Sequence, residues 1–578
     1  MNDMFPPHKQ DNRRLYLAVA LSAVVLFVWQ KWFMPKPKPH LGLDGGGIAQ
    51  VVDAGGAPIA AAGTAPVAAA PAMLPTEPNA PKPPEQLAEF DGPTRHLVFS
   101  SYGGALKSAV LKGEQFKREV KGKTEQVDMV QVEPGQPLPF STALGQGLPP
   151  VPADLPYAMT KTSDGVTFTA QQGPLTITKR YTVPANGYDV GLQVEIKNTG
   201  GQPLSGDLTV GVDSFVKPGS EDRPTGIMGF LSRGPQNLRL PIARVDKDTH
   251  RQQKDKDGKV QDVAGELKFA GIDEQYFLAA LYPLGDRHAK VVLSTPADGL
   301  RHVDASFAAS IAPGATDERS FGLYVGPKLK EALEAAGSTV PALKNAHPEL
   351  TESVEYGYMA VIAVILLWVM RAFHMLIPNW GVDIILLTLA VKVLTLPLTM
   401  KQMMQSEKMK KLQPQMDAIK AKYKGDKEKQ NQETMRLYSQ SGVNPLSGCL
   451  PMLIQLPVFW GLWRLLEYAF DIYRQPFVPG WINDLSAIDP TYVLPVLLIV
   501  TMFGSQTMMP AMGDAAQQKM MKYAMPLMFG VFMIGLPAGL SLYYVFNNLL
   551  NIIQQLYLRK RFPAMRQTPD SKKKLATS

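Results

Sequence analysis

The sequence predicts a polytopic α-helical membrane protein of six spans. The helices are joined to an all-β domain exported across the membrane. Three observations carry this. Long apolar runs occupy the N-terminal end and most of the chain beyond residue 350. The stretch between reads as short strands separated by turn residues. The positive charge sits beside the apolar runs and not on the middle region. Residues 35–350 hold 32 Lys and Arg against 35 Asp and Glu, the rest holds 27 against 16, and so the whole formal surplus of +8 lies outside the middle. A soluble nucleic-acid binder would carry such a surplus on a folded domain.

Residues 1–34 read as an uncleaved anchor. Leu15–Phe33 is apolar apart from Ser22, Gln30 and Lys31, and its length corresponds to about 28 Å of helix, close to the ~30 Å hydrocarbon core. It exceeds a signal-peptide core and is followed by Met34-Pro35-Lys36-Pro37, not a small-x-small site. Arg13-Arg14 are read as its positive-inside flank and not as a twin-arginine signal. Residues 35–84, rich in Ala, Gly and Pro, form a linker without a core of its own.

Residues 85–345 read as the β domain. Alternation or β-branched enrichment marks strands at His96–Ser100, Gly165–Ala170, Leu175–Thr182, Tyr188–Lys197, Asp207–Asp213, Ala289–Ser294 and Phe321–Val325. Asn186-Gly187 and Asn198-Thr199-Gly200-Gly201 supply turns. Strands this short and this numerous predict one large antiparallel sandwich, closed by a short helix at Leu329–Ala336.

Beyond residue 350, apolar runs fall at 356–377, 381–398, 446–470, 491–512 and 523–558, the last split by Gly535-Leu536-Pro537-Ala538-Gly539. Residues 400–442 form a charged helical hairpin broken at Lys424-Gly425-Asp426. Met400–Ser441 carries ten Lys and Arg against five acids, and the tail 559–578 seven against one. The positive-inside rule places both, with the N-terminal flank, in the cytoplasm. An odd number of crossings must then separate the exported domain from the hairpin. Tyr356–Met370 measures only about 22 Å as a helix, so 350–378 is assigned to an interfacial helix on the outer face and 379–399 to the span. Four further spans within 443–558 return the tail to the cytoplasm.

One charge lies inside a span. Lys392 sits about six residues from the cytoplasmic end of its helix, on one face with Thr388 and Thr395. A charged side chain there costs ~2.5–3.5 kcal/mol on insertion scales and ordinarily faces water or a partner, although a lysine this near the end can also snorkel. The last span carries a polar stripe, Tyr543, Asn547, Asn551 and Gln554, widened by Tyr544, Asn548 and Gln555. Interhelical hydrogen bonding is the alternative use of such a stripe. Gln455 and Gln506 add polar groups in two other spans. No acid lies deep in any span to neutralise Lys392, which implies a hydrophilic groove. The methionines of the spans suit a promiscuous apolar surface, but most read as lipid-facing filler.

Cys449 is the only cysteine, which excludes disulfides within the chain and multi-cysteine metal sites. No phosphate-binding glycine loop, dinucleotide fingerprint or nucleophile elbow is present. No cofactor, metal site or enzymatic reaction is expected.

Asn444-Pro445-Leu446-Ser447-Gly448-Cys449-Leu450-Pro451-Met452-Leu453-Ile454-Gln455-Leu456-Pro457 resembles the signature of the YidC family of membrane protein insertases. So do Leu398-Thr399, Trp481-Ile482-Asn483-Asp484-Leu485 and Pro537-Ala538-Gly539-Leu540 leading to Tyr543-Tyr544. The resemblance covers about residues 354–560. The anchor, linker and exported domain resemble the Gram-negative form, whose periplasmic domain is a β-supersandwich similar to mutarotase-like folds. It implies a multi-pass protein of the bacterial inner membrane with both termini cytoplasmic and residues 35–350 periplasmic. It also implies that five of the spans form a core around a groove open to the cytoplasm, whose single positive residue maps onto Lys392, with Thr388 and either Tyr543 or Tyr544 lining it. This form usually carries Arg there, so Lys392 is a departure that keeps the charge and loses the planar fork.

The implied function is insertion and folding of nascent membrane proteins, alone or with the Sec translocon. The hairpin and the basic tail would meet the substrate or the ribosome, and the spans would meet membrane lipids. The candidate groove residues are Lys392, Thr388, Thr395, Tyr543, Tyr544, Asn547, Gln455 and Gln506. An ion-coupled transporter using Lys392 is the alternative, against which stand the missing inverted repeat and acidic partner. A third reading, an anchored carbohydrate-active enzyme, finds no paired-carboxylate pattern in the β domain.

Overall fold

The computed structural model describes residues 83–120, 123–145, 147–216, 239–252, 260–296, 299–338, 340, 343, 348–442, 450–508 and 518–561. The anchor, the linker up to residue 82, residues 443–449 with the first six residues of the signature, and the tail beyond 561 lie outside the described residues.

The middle of the chain is all-β. Its main sheet has 13 strands. In spatial order the path runs Thr142–Leu144, Leu204–Phe215, Leu300–Ile311, His288–Ser294, Gln261–Asp273, Phe277–Leu284, Thr316–Pro327, Asp189–Asn198, Leu175–Thr182, Gly165–Gln172 and Ala158–Lys161. Leu240–Val245 and Asp248–Arg251 attach beside it. Every pairing is antiparallel.

The sheet folds over at Gln261–Asp273. The first half of this strand pairs with His288–Ser294, and the second half pairs with Leu240–Val245 and Phe277–Leu284. The register skips Lys268 opposite Arg244 and Val245, a bulge that bends the strand and strengthens its twist. The inward residues of the two layers meet there, for example Phe307 and Phe321 with ring centroids 5.3 Å apart. A smaller sheet, Leu87–Asp91, Arg95–Ser100 and Ala105–Leu111, is pinned on by Lys179. This fully buried ammonium donates to the carbonyls of Gly103 (2.8 Å), Gly104 (3.1 Å) and Phe140 (3.3 Å), and burial pulls it down to about 7.

The remaining elements are helices: α1 (Lys330–Glu334), α2 (Ala360–His374), α3 (Trp380–Lys422), α4 (Lys427–Gln440), α5 (Leu450–Tyr468), α6 (Val493–Met508), α7 (Met525–Met533) and α8 (Ala538–Arg561). A π-helical turn, Met520–Ala524, leads into α7. By length and composition, Trp380–Lys401 is the one described segment long and apolar enough to cross a membrane; Ala360–His374, Val493–Met508 and Met520–Met533 are shorter apolar helices.

α3 runs without interruption through Pro397 and Pro414 into the charged hairpin, so the helix does not stop where its apolar residues do. The hairpin turns at Gly425, whose φ of 104° is open to glycine, and Asp426 caps α4 by accepting from the Lys429 amide at 3.0 Å. α2 buries Ala363, Leu366, Leu367 and Met370 and leaves Val361, Val364, Ile365 and Trp368 exposed.

The β domain and the helices share a boundary. Phe470, just past α5, sits in the β-domain core with Phe116 (5.9 Å) and Phe277 (6.1 Å), and Tyr473 stacks on Tyr276 at 4.1 Å. Arg371 of α2 donates to Asp471 (2.8 Å) and to Glu331 of α1 (2.9 Å).

His302 lies between Asp213 and Asp304, bonded to both carboxylates. Burial works against its charge, but the two carboxylates prevail and push it up to about 10. The stabilisation is therefore complete below the ordinary histidine value and is lost as pH rises through about 10. His302→Gln should lower the thermal midpoint of the purified full chain most near pH 6, and the deficit should shrink toward pH 10 when followed by β-sheet circular dichroism. The opposite trend of Lys179 is common to both proteins and cancels. A deficit independent of pH would rule out the charged triad.

Candidate functional site

The site is the seam where α3 and α8 run side by side. The start of α3 is fixed tightly. Asn379 caps it, its Oδ1 accepting from the amides of Gly381 (2.9 Å) and Val382 (3.1 Å), while its Nδ2 donates to the Phe477 carbonyl. Gly381 lies against the Phe477 ring, so close that a Cβ would stand 2.1 Å from Cδ2. In the first turn Asp383, fully buried, pairs with His374 Nδ1 at 2.6 Å, and His374 stacks on Trp380 at 4.2 Å.

α8 begins equally tightly. The amides of Ala538 and Gly539 donate to the carbonyls of Ala487 (2.7 Å) and Leu485 (3.0 Å), and Gly539 lets α8 approach Ile384 of α3 and Leu466 of α5. Ile384 thus meets Gly539 at one end of the seam. At the other, Gln554 Nε2 donates to Thr399 Oγ1 at 3.0 Å. The two helices therefore run parallel.

Between those ends, about 18 Å along the axis from Trp380, Lys392 reaches across. It is half-buried, and its Nζ donates to Asn551 Oδ1 of α8. Of the three residues placed on its face, it alone crosses the seam. Thr388, buried, donates to its own helix at the Ile384 carbonyl (2.7 Å), and Thr395 does so at the Val391 carbonyl (2.8 Å). Such back-bonding is a common fate of hydroxyls in helices.

About two turns before Asn551 on α8, the Tyr543 hydroxyl accepts from Gln455 of α5. Tyr543 is fully buried, whereas Tyr544 is half-buried and packs against Phe459 (5.5 Å) and Phe529 (5.1 Å). Asn547 and Gln506 are half-buried and make no side-chain hydrogen bond among the described residues. Asn548 Nδ2 and Gln555 Oε1 on α8, and Gln405 Oε1 on α3, are buried without a partner among the described residues. Such atoms cost free energy in a dry, apolar setting.

The geometry therefore brings together Lys392 with Asn551, Gln455 with Tyr543, and Thr399 with Gln554. It leaves Thr388, Thr395, Asn547 and Gln506 outside those pairs. The i, i+4, i+8 stripe on α8 flagged Asn551, but nothing in the sequence paired it with Lys392. The ties His374–Asp383 and Arg371–Asp471 carried no motif at all. At the second of these, burial raises the Asp471 carboxyl above its ordinary value although Arg371 pulls it down. Among the described residues no group of three or more His, Cys, Asp or Glu could hold a metal ion.

Residues 88–369 match a family model described as YidC periplasmic domain, and residues 372–566 one described as 60Kd inner membrane protein. The chain is 36% identical over 569 residues to a membrane protein insertase YidC of Anaeromyxobacter sp. (strain Fw109-5), covering 96% of this chain and 98% of that protein. It is 37% identical over 571 residues to the protein of the same name in Anaeromyxobacter dehalogenans (strain 2CP-C), covering 95% and 97%. A crystal structure of an active YidC insertase with its first transmembrane domain resolved aligns over 82% of this chain and 92% of that one, with 22% identity and a TM-score of 0.35.

The start of α3 aims the seam, so overpacking it should be costly. Gly381→Ala forces a methyl into the Phe477 ring, expected to destabilise by about 1–3 kcal/mol. Gly504→Ala on α6 places its methyl at an ordinary 3.4 Å from Ile552 and should be silent. Thermal unfolding of the two detergent-purified variants checks this, and equal midpoints would contradict it.

Proposed function

The chain belongs to the YidC family of membrane protein insertases, and we propose that it inserts and folds other membrane proteins through the polar seam between α3 and α8. The family is one of inner-membrane proteins with a periplasmic domain, and the β domain of this chain is that domain. The observation that carries the proposal is the setting of Lys392. Its ammonium is held by a neutral amide, and among the described residues no carboxylate is bonded to it and nearby buried amide atoms lack partners. A closed, dry bundle would leave these groups at a loss of several kcal/mol. A seam entered by water or by the polar segment of a passing chain would satisfy them.

The proposed arrangement has six spans, the anchor and α3, α5, α6, α7 and α8, with α2 lying in the outer interface on its exposed apolar face. Helix directions support it. α6 runs parallel to α8, since Ala487 and Leu485 precede α6 and meet the start of α8, and Gly504 meets Ile552 farther along. α3 is parallel to both, as expected for three crossings from the outside inward. The basic hairpin then lies in the cytoplasm.

In the proposed reaction no covalent bond changes. A hydrophilic tail or loop of the substrate enters the seam near Lys392, where the ammonium attracts its acidic residues. The apolar helix of the substrate leaves sideways along α5 and α7 into lipid, driven by ~0.8 kcal/mol per buried CH₂. The membrane potential adds ~2.3 kcal/mol per 100 mV for each negative charge carried outward. The same surfaces would serve a chaperone role, alone or beside the Sec translocon. The hairpin and basic tail would meet the nascent chain and the ribosome through phosphate contacts.

Lys392→Arg should be tolerated, because the positive charge is kept. Lys392→Leu should reduce insertion of substrates with acidic outer segments about tenfold, the equivalent of about 1.4 kcal/mol, and spare uncharged ones. Protease protection of the two substrate classes in reconstituted vesicles measures this. Equal loss for both classes would remove the electrostatic role.

A further inference from the structure

We propose that Asn551 is a positioning residue that keeps Lys392 in the seam in an exchangeable state, and so sets the preference for acidic over neutral substrate segments. The proposal rests on the reading of Lys392 given above and adds to it a second residue with a different chemistry.

The geometry asks for such a residue. On the turn of α3 that carries Lys392, Val393 and Leu394 are 64% and 80% exposed, so the side of the helix next to the lysine faces outward among apolar side chains. A lysine stem long enough to snorkel would carry the ammonium along that side toward the headgroups. Asn551 Oδ1 takes it the other way, into the contact with α8. Thr395 turns its hydroxyl back onto α3, donating to the carbonyls of Val391 (2.8 Å) and Lys392 (3.3 Å). Gln554, the next polar residue of the stripe, donates through its Nε2 to Thr399, seven residues past Lys392 on α3.

The chemistry of the holder matters as much as its place. An ammonium has three N–H donors and no acceptor. A neutral amide oxygen satisfies one of them without cancelling the charge. A passing Asp or Glu carboxylate adds a full negative charge to the hydrogen bond, and at low dielectric that attraction lets it displace the amide, whereas a neutral side chain offers the ammonium nothing stronger than it already has. An aspartate at 551 would have the same shape and would form a standing ion pair at low dielectric. Lys392 would then be held more firmly and would be blind to the substrate.

Asn551→Asp in the full chain, reconstituted in vesicles, separates this role from a structural one. The probes are two single-span substrates identical except for Asp or Asn residues in the outer segment. The expected result is a fall of about tenfold in insertion of the Asp-bearing substrate, about 1.4 kcal/mol, with the Asn-bearing one unchanged and the thermal midpoint of the protein equal or higher. Asn551→Gln, which keeps an amide, should retain the preference for the Asp-bearing substrate. Unchanged insertion of both substrates by the Asp variant would show that Asn551 only packs α3 against α8 and would overturn the proposal; so would an equal loss of both, or loss of the preference in the Gln variant. Lys392→Leu assayed in parallel tells the two failures apart. If that variant is selective and Asn551→Asp is not, the role of Asn551 alone has failed. If neither is selective, the electrostatic role of Lys392 has failed with it.

Discussion

A cation placed within an apolar helix has to be met by something polar, and the helical part of this protein is arranged around that constraint. Insertion scales put the cost of a lysine near mid-helix at ~2.5–3.5 kcal/mol. It is offset here by one contact across a helix pair, Lys392 to Asn551. For that contact to form, α3 and α8 must run parallel and in one register. The two ends of the seam impose this, with Gly539 against Ile384 at the end nearest the β domain and Gln554 on Thr399 at the end nearest the hairpin. The polar content of α8 follows from the same constraint. A stripe of amides facing lipid would be costly; facing Lys392 and the seam, the amides provide the environment in which the charge persists.

At the end nearest the β domain the same helices are tied by ion pairs and ring contacts. Asn379 caps α3, His374 pairs with the buried Asp383 while stacking on Trp380, and Arg371 bridges Asp471 and Glu331. The aromatic cluster of Phe116, Tyr276, Phe277, Phe470 and Tyr473 continues this rigid end into the β domain. The result is a polarity of mechanical character along the bundle. Both ends hold buried polar atoms without a partner among the described residues, Asp383 Oδ1 at one and Gln555 Oε1 at the other; the first is tied to the β domain by rings and ion pairs, and the second carries a half-buried ammonium held by an amide. On the proposed mechanism the tied end holds the helix axes while the seam exchanges partners.

Much of the fold was legible in the sequence because its signals are local. Leu175–Thr182 alternates buried and less buried residues along its length and occurs as predicted. The strand at Leu300–Ile311 was not predicted because several of its inward positions are alanines, which bury without announcing a strand. Gln261–Asp273 was obscured for another reason: it changes layers at a bulge, so no single alternation runs through it. Composition placed a boundary at residue 399, whereas α3 continues to Lys422, since backbone hydrogen bonding carries a helix past the point where its side chains turn charged. At the site, Lys392 and the α8 stripe stood out by cost and by period. Their pairing did not, because a contact spanning 159 residues leaves no trace in spacing. The inward turn of the Thr388 and Thr395 hydroxyls was equally invisible, being settled by the local backbone and not by the pattern of the face.

The central claim is that a polypeptide passes through the seam beside Lys392. Site-directed photocrosslinking to a ribosome-stalled nascent chain tests it most directly, with the probe placed in turn at position 392, at position 551 and at the outward-facing position 394. The account predicts adducts between the polar outer segment of the nascent chain and positions 392 and 551, and none between that segment and position 394. Adducts of the polar segment at 394 with none at 392 and 551 would contradict it.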